Sequence, residues 1–122
     1  MTGPDTGSGR PVLVLIGAPG AGKTRLGKRI ARLLDVPFID TDKRIVAEHG
    51  AIAEIFARHG EPRFRAIERE QVARALTERA VVALGGGAVL DTSTRSELEW
   101  HRVAQLSVSA EEIGRASCRE RV

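Results

Sequence analysis

The sequence is short of the residues that build disulfide frameworks, metal clusters and membrane spans. It contains one cysteine, Cys118, which excludes an internal disulfide and a four-cysteine metal site. No apolar run approaches the roughly 20 residues of a membrane helix. Residues 1–10 also lack the apolar stretch of a secretory signal peptide. We therefore expect a cytoplasmic protein without membrane contact.

The excess of positive charge is small once its position along the chain is considered. The 122 residues include 19 basic and 16 acidic side chains, a net charge of +3. Residues 114–122 hold three arginines and one glutamate, so 16 basic and 15 acidic residues remain without them. The charge therefore does not indicate nucleic-acid binding. A hydrophobic content of 42% in a chain of this length is typical of one small globular domain.

A glycine-rich segment, Gly17–Thr24, reads G-x-x-x-x-G-K-T. It directly follows the apolar run Val12–Ile16 and precedes Arg25–Leu34, where apolar residues recur at helical spacing. In the context strand, loop, helix this pattern is a phosphate-binding loop, or P-loop, whose backbone N–H groups point at an anion. The alternative is a glycine-rich turn without a ligand.

Side chains at the end of this loop suit a nucleotide and its metal ion. Lys23 can reach the β- and γ-phosphates, and the Thr24 hydroxyl can bind Mg²⁺. The helix N-terminus behind the loop adds partial positive charge. The predicted ATP-binding residues are Gly20, Ala21, Gly22, Lys23, Thr24 and Arg25.

Apolar runs alternate with helical patterns along the chain, which predicts an α/β fold with a doubly wound parallel sheet. The predicted strands are Val12–Ile16, Phe38–Ile39, Ala80–Leu84 and Val103–Val108. The predicted helices are Arg25–Leu34, Lys43–His49, Ala51–His59, Pro62–Arg79, Thr94–Trp100 (with Thr94 and Glu97 at capping-box spacing) and one starting at Ser109.

Two further segments follow predicted strands and should lie beside the P-loop, because ligands bind at the carboxyl ends of parallel strands. Asp40 and Asp42 follow the second strand, and Gly85–Gly87 follow the third. In an extended segment both aspartates would face one side, one serving a metal and the other an acceptor hydroxyl. The alternative is an ordinary turn in which Asp42 caps the next helix. These features predict a P-loop phosphotransferase.

Four motifs together resemble the shikimate kinase family. They are G-A-P-G-A-G-K-T at 17–24, D-T-D at 40–42, F-R-x-I-E at 64–68 and L-G-G-G-A-V at 84–89. The resemblance covers roughly Pro11 to Glu112. It implies a three-layer P-loop kinase fold and Mg²⁺-dependent transfer of the γ-phosphoryl group of ATP to the 3-hydroxyl of shikimate. That reaction belongs to the chorismate route to the aromatic amino acids.

The resemblance also implies roles for individual residues. Lys23 would hold the phosphates in catalysis, and Thr24 and Asp40 would serve the metal. Asp42 would bind the acceptor hydroxyls and act as the base. Arg65 would bind the shikimate carboxylate, although an Arg65–Glu68 pair at this spacing is by itself most simply a surface ion pair. The backbone of Gly85, Gly86 and Gly87 would complete the pocket. We expect ATP and shikimate as partners, no nucleic acid, and a monomer.

The chain is expected to divide into a disordered leader, residues 1–10, an incomplete kinase core, residues 11–113, and a non-native tail, residues 114–122. Family members continue into an arginine-bearing lid and a last strand, which the tail does not resemble. We therefore expect an open edge at the fourth strand and poor turnover. The alternatives are a gluconate kinase-like enzyme and a non-catalytic nucleotide-binding fragment.

Overall fold

The computed structural model of this chain describes residues 9–18, 20–107 and 119–121. Its centre is a five-stranded sheet with the order β2-β3-β1-β4-β5. The strands are β1 (Leu13–Gly17), β2 (Phe38–Asp40), β3 (Val81–Ala83), β4 (Val103–Ser107) and β5 (Arg119–Arg121). The first four pair in parallel, and β5 runs antiparallel to β4. The sequence-based expectation of a parallel α/β sheet is thus confirmed.

The helices pack on both faces of this sheet. They are α1 (Lys23–Leu34), α2 (Thr41–His49), α3 (Ile52–Ala75) and α4 (Thr92–Leu98), with a 3₁₀ turn at Ala88–Leu90. The backbone of α3 is interrupted at Gly60, where φ is 83° and ψ is 169°. The two helices predicted on either side of this position are therefore the two segments of α3. Its second segment ends at Ala75 rather than at the predicted Arg79.

The unbroken apolar run of β1 is explained by burial on both faces of the sheet. Val14 packs on the side of α3 and α4, with Val72 and Leu98. Leu15 packs on the opposite side, with Ala31 of α1. Both β1 residues are fully buried. The result is the three-layer arrangement expected from the sequence.

A third apolar cluster holds α2 against α3. It consists of Ile45, Ile55, Phe64 and Ile67, all buried. The ion pair of Arg74 with Glu48 also joins α3 to α2, and the pair of Arg44 with Glu78 joins α2 to the turn that follows α3. Because α2 begins at the end of β2, this packing sets where the residues after β2 lie relative to α3.

The outer edge of β4 is not open, so that expectation is wrong for the residues described. Gln105, Leu106 and Ser107 pair with Arg121, Glu120 and Arg119 of β5. The predicted helix starting at Ser109, residues 1–8 of the predicted leader, and residues 114–118 and 122 of the predicted tail lie outside the described residues.

The helix after β3 begins earlier than the capping-box pattern predicted. The N-cap of α4 is Asp91, whose Oδ2 accepts a hydrogen bond of 2.9 Å from the Thr94 N–H. Thr94 therefore lies inside α4 rather than capping it, and its side chain is buried. An aspartate is as good an N-cap as a threonine, and here it stands one turn closer to the strand.

Within the described part of the chain, none of the helices is long and apolar enough to span a membrane.

Candidate functional site

A cavity of about 390 Å³ lies at the carboxyl ends of β1, β2 and β3. Its lining residues are Gly20, Gly22, Lys23, Thr24, Arg25, Asp40, Asp42, Ala83, Leu84, Gly85 and Gly86. This set joins the three segments that the sequence placed beside one another. The strand order is the reason, because β3 lies between β1 and β2 in the sheet.

A larger cavity of about 480 Å³ lies between α3 and α4, where Arg10, Trp100 and His101 line it. These residues precede β1 and β4, so this cavity opens at the amino ends of the strands. It has no glycine loop and no strand-end carboxylate among its lining residues. The smaller cavity is therefore the candidate site.

Two glycines of the P-loop adopt backbone conformations that suit a tight anion-binding turn. Gly20 and Gly22 have φ values of 85° and 94°, in the left-handed region that other residues rarely adopt. Gly22 is the N-cap of α1 and has no side chain to cap it, and the first turn of the helix lines the cavity. Such a terminus attracts phosphate.

Lys23 is folded over its own loop. Its Nζ donates hydrogen bonds to the carbonyl oxygens of Gly17 at 2.6 Å and Ala18 at 3.4 Å. Burial lowers the pKa of this ammonium group, and the nearby carboxylates of Asp42 and Asp40 oppose that shift. The side chain therefore sits between the loop and the two aspartates, where a phosphate could take over its hydrogen bonds.

Thr24 and Asp40 bring together a hydroxyl and a carboxylate. The Thr24 Oγ1 donates to Asp40 Oδ2 at 3.4 Å, while Asp40 Oδ1 accepts from the Lys43 N–H at 3.2 Å and caps α2. Such hard oxygen donors suit Mg²⁺, which usually takes one or two protein ligands and completes its shell with phosphate and water. Among the described residues, no cluster of three or more His, Cys, Asp or Glu side chains could hold a metal.

The predicted extended segment around Asp40 and Asp42 is wrong, because α2 starts at Thr41, directly after β2. Asp40 is the helix cap and Asp42 lies in the first turn. Both carboxylates nevertheless line the cavity. Burial raises the pKa of Asp42, the Asp40 carboxylate raises it further, and the Lys23 ammonium lowers it. Asp42 therefore accepts a proton more readily than an exposed aspartate does.

Two glycines of the Gly85–Gly87 loop make room for two functional side chains. A Cβ on Gly85 would lie 2.7 Å from Oδ2 of Asp42 and would overlap its other oxygen. A Cβ on Gly87 would lie 2.6 Å from Nη1 of Arg65. The loop after β3 is thus packed directly against both side chains that the sequence assigned to the acceptor.

Arg65 is more than a surface residue paired along its helix. Its Nη1 donates to Glu68 Oε1 at 2.9 Å, and Glu61 Oε2 lies 3.4 Å from its Nη2. Glu68 is only 4% exposed. Burial raises the pKa of Glu68, and the hydrogen bond from Arg65 opposes that shift. The guanidinium lies 5.4 Å from the centre of the Phe64 ring, which supports it from one side.

Comparison with known proteins agrees with these motifs. The sequence model of the shikimate kinase family matches residues 19–121. Curated shikimate kinases from Thermobifida fusca and Salinispora tropica are 52% and 56% identical to the chain over 103 and 100 residues. This chain belongs to the shikimate kinase family. The two alignments cover 83% and 80% of this chain and 60% of each relative, so the chain spans about three fifths of their length.

Solved structures of the family have the same fold. The shikimate kinase of Bacteroides thetaiotaomicron superimposes with a TM-score of 0.77 at 36% identity, over 85% of this chain and 61% of that protein. The enzyme of Acinetobacter baumannii, solved in complex with shikimate, gives a TM-score of 0.72 at 36% identity. That match covers 78% of this chain and 54% of the other.

Sequence reasoning missed a buried polar residue that lies directly behind the candidate site, between two of its lining residues. Thr41 was noted only as the middle letter of D-T-D, yet its hydroxyl is fully buried between β3 and the glycine loop. A threonine between two aspartates at the end of a strand was the available signal. Its partners come from residues more than 40 positions away and could not be read from the chain.

Proposed function

We propose that this protein transfers the γ-phosphoryl group of ATP to the 3-hydroxyl of shikimate, giving shikimate 3-phosphate and ADP. One observation carries the proposal: Asp42, Gly85 and Gly86 line the cavity beside the P-loop, and the same glycine loop lies against Arg65 through Gly87. Arg65 and Gly87 are not themselves among the lining residues of the cavity. A carboxylate and a guanidinium against one loop suit an acceptor with hydroxyls and a carboxylate. The Acinetobacter baumannii relative solved with shikimate supports shikimate as that acceptor.

The nucleotide phosphates would lie on the P-loop. The N–H groups of Gly22 and of the start of α1 would supply the anion site, whereas the Ala21 N–H donates to the Ala18 carbonyl oxygen at 3.1 Å. Ala21 of the loop is buried and belongs to the same apolar cluster as Leu15 of β1, so the loop is packed against the core at this residue. The Lys23 ammonium would leave the carbonyls of Gly17 and Ala18 for the β- and γ-phosphates. Arg25, the third residue of α1, is exposed and would add positive charge at the same end.

Thr24 and Asp40 are the residues that would hold the magnesium ion, one through its hydroxyl and the other from behind it. When bound with the nucleotide, Mg²⁺ neutralises charge on the phosphate oxygens during transfer. Asp40 is already held in place by its hydrogen bond to the Lys43 N–H. The Asp40 carboxylate therefore needs no large rearrangement to serve the magnesium ion.

The acceptor would be held and activated by the residues around the Gly85–Gly87 loop. Arg65 would form a bidentate pair with the shikimate carboxylate, in an orientation maintained by Glu68. Asp42 would accept the proton of the 3-hydroxyl while the hydroxyl oxygen bonds to the γ-phosphorus of ATP. The bond between the γ-phosphorus and the oxygen that it shares with the β-phosphate breaks in the same step, and ADP leaves. The raised pKa of Asp42 suits this step, because a general base works best when its pKa lies near the pH at which the enzyme works.

Coupled measurement of ADP release tests this function. Release with Mg²⁺, ATP and shikimate should exceed release with ATP alone and release with gluconate as acceptor. Detection of shikimate 3-phosphate by mass spectrometry should account for the ADP formed. Equal release with or without shikimate, or release that depends on gluconate instead, would contradict the proposal.

We also propose that the protein acts in the cytoplasm as a monomer, on small molecules rather than on nucleic acid or membranes. The near balance of charge outside residues 114–122 supports the part of this proposal that concerns nucleic acid. Analytical ultracentrifugation should give the mass of one chain at micromolar concentration, and a dimer mass would contradict it.

A further inference from the structure

Thr41 has a buried hydroxyl between the two aspartates of the site. It is the first residue of α2, and its exposed fraction is 0%. Burying a hydroxyl without hydrogen-bond partners costs free energy, so the partners of the Thr41 hydroxyl explain why it can be buried here.

The Thr41 hydroxyl bridges two backbone groups at the end of β3. It donates to the carbonyl oxygen of Ala83 at 3.4 Å and accepts from the N–H of Gly85 at 3.3 Å. Backbone pairing between β2 and β3 ends with Asp40 opposite Ala83. The hydroxyl therefore extends the junction of the two strands one step further, to the first glycine of the Gly85–Gly87 loop.

This bridge decides how closely that loop approaches Asp42. Gly85 is buried, and a Cβ there would overlap the Asp42 carboxylate. The Thr41 side chain is hydrogen-bonded to the N–H of Gly85, and Thr41 is linked to Asp42 by the peptide bond between them. The hydroxyl thus sets the separation between the carboxylate of Asp42 and the backbone of the loop.

We propose that Thr41 is a positioning residue for the acceptor side of the site. Its hydroxyl holds Gly85 where Asp42 and the glycine loop contact the acceptor together. This rests on the proposed function, because the acceptor is taken to be shikimate. The P-loop is held by its own glycines and by the Lys23 bonds to Gly17 and Ala18, so we expect nucleotide binding to depend on the bridge far less than acceptor binding does.

The experiment compares variants that keep or lose the hydroxyl. Thr41→Val keeps the branched shape and loses the hydroxyl, and Thr41→Ser keeps the hydroxyl and loses the methyl group. Thr94→Val is the matched control, a buried threonine of α4 that lines the other cavity. Binding of shikimate and of Mg·ADP to each chain is measured by calorimetry.

Thr41→Val should weaken shikimate binding about tenfold, which corresponds to about 1.4 kcal/mol, and leave Mg·ADP binding within about twofold. Thr41→Ser should recover most of the loss, and Thr94→Val should change neither ligand. If Thr41→Val does not fold, the pair Thr41→Ala and Thr41→Ser gives the same comparison, because the two differ only in the hydroxyl. Unchanged shikimate binding without the hydroxyl, or equal loss of both ligands, would overturn the proposal.

A second readout separates this inference from the proposed function. If the unmodified chain binds Mg·ADP but not shikimate, the proposed acceptor is wrong. Amide hydrogen exchange at Gly85 then decides the role of Thr41 by itself. Exchange should be faster in Thr41→Val and return to the original rate in Thr41→Ser, and an unchanged rate in Thr41→Val would overturn the inference.

Discussion

The P-loop and the acceptor wall are built in opposite ways. The P-loop is one continuous segment, Gly17–Thr24, and the anion site proposed for it uses mainly the backbone of that segment. The acceptor wall joins Asp42, Arg65 and the Gly85–Gly87 loop, which come from α2, α3 and the end of β3. A local site survives as long as its loop keeps its conformation. An assembled site depends on the packing of every element that contributes to it.

The largest expected effect is on the local half. Lys23→Ala should weaken Mg·ATP binding about a hundredfold or more, because charge-assisted hydrogen bonds contribute roughly 1.5–3 kcal/mol each. The dissociation constant of shikimate should change by less than about threefold, which is well under 1 kcal/mol of binding free energy. Calorimetry with each ligand measures both. Lys28→Ala, an exposed lysine of α1, is the matched control. Equal losses of Mg·ATP affinity in the two variants would show that Lys23 does not bind the nucleotide.

Arg65→Lys should give the reverse selectivity. An ammonium group cannot form the bidentate pair of a guanidinium, so shikimate binding should weaken by on the order of 1.5–3 kcal/mol while nucleotide binding stays nearly unchanged. Arg69→Lys, an exposed arginine on the same helix, is the control. If both ligands weaken together, Arg65 is a structural residue and the two halves are not separable.

Gly85→Ala should damage the assembled wall through contact rather than charge. The added Cβ would press on the Asp42 carboxylate, and we expect a loss of about 1–2 kcal/mol in the free energy of unfolding, as for overpacking elsewhere. In an Asp42→Ala background the same change should cost less, since the overlapping atoms are gone. Thermal unfolding of the four chains of this double-mutant cycle measures the difference. Strict additivity would show that Gly85 and Asp42 do not press on each other.

Asp42→Asn should stabilise the protein while removing activity. The pKa of Asp42 is raised in the folded protein, so its ionised form is disfavoured there and the folded state gains from protonation. The variant should exceed the parent in the free energy of unfolding by less than about 1 kcal/mol at pH 7, since the site is partly solvated. The difference should shrink as the pH falls through the raised folded pKa towards 3.8, the ordinary value.

Denaturant unfolding of both chains at several pH values measures this stability difference. As the pH is lowered, turnover of the parent should begin to fall at a higher pH than it would with an aspartate of ordinary pKa. The reason is that protonated Asp42 cannot accept the hydroxyl proton. A variant that is less stable than the parent at pH 7 would contradict the assignment of burial as the main cause of the shift.

The smallest effect is expected away from both halves. Arg44 and Glu78 form an ion pair at 2.6 Å, but their side chains are 33% and 39% exposed. Glu78→Gln should therefore change the free energy of unfolding by about 0–1 kcal/mol. Neither ligand should bind differently, by the same calorimetry. A selective loss of shikimate binding would show that the contact between α2 and the turn after α3 also sets the acceptor wall.

The sequence alone predicted that the P-loop lines the candidate site, because the information for this half is local. A strand, a glycine loop, a lysine and a hydroxyl follow one another, and each contributes through its own backbone or a side chain a few residues away. The β-α alternation likewise predicted a parallel sheet, since apolar runs and helical spacing are properties of short windows. The position of α4's cap was missed because Asp91 and Thr94 are both good caps, and a window of sequence does not choose between them.

What only the tertiary structure decided is the order of the strands and everything that follows from it. Placing β3 between β1 and β2 brings Gly85 against Asp42, and the packing of α3 brings Arg65 against Gly87. Starting α2 at Thr41 instead of Lys43 turned an expected extended segment into a helix cap. These contacts join residues more than 20 positions apart, and burial against the whole sheet selects them. No short stretch of the chain carries the free energy that holds the acceptor wall together.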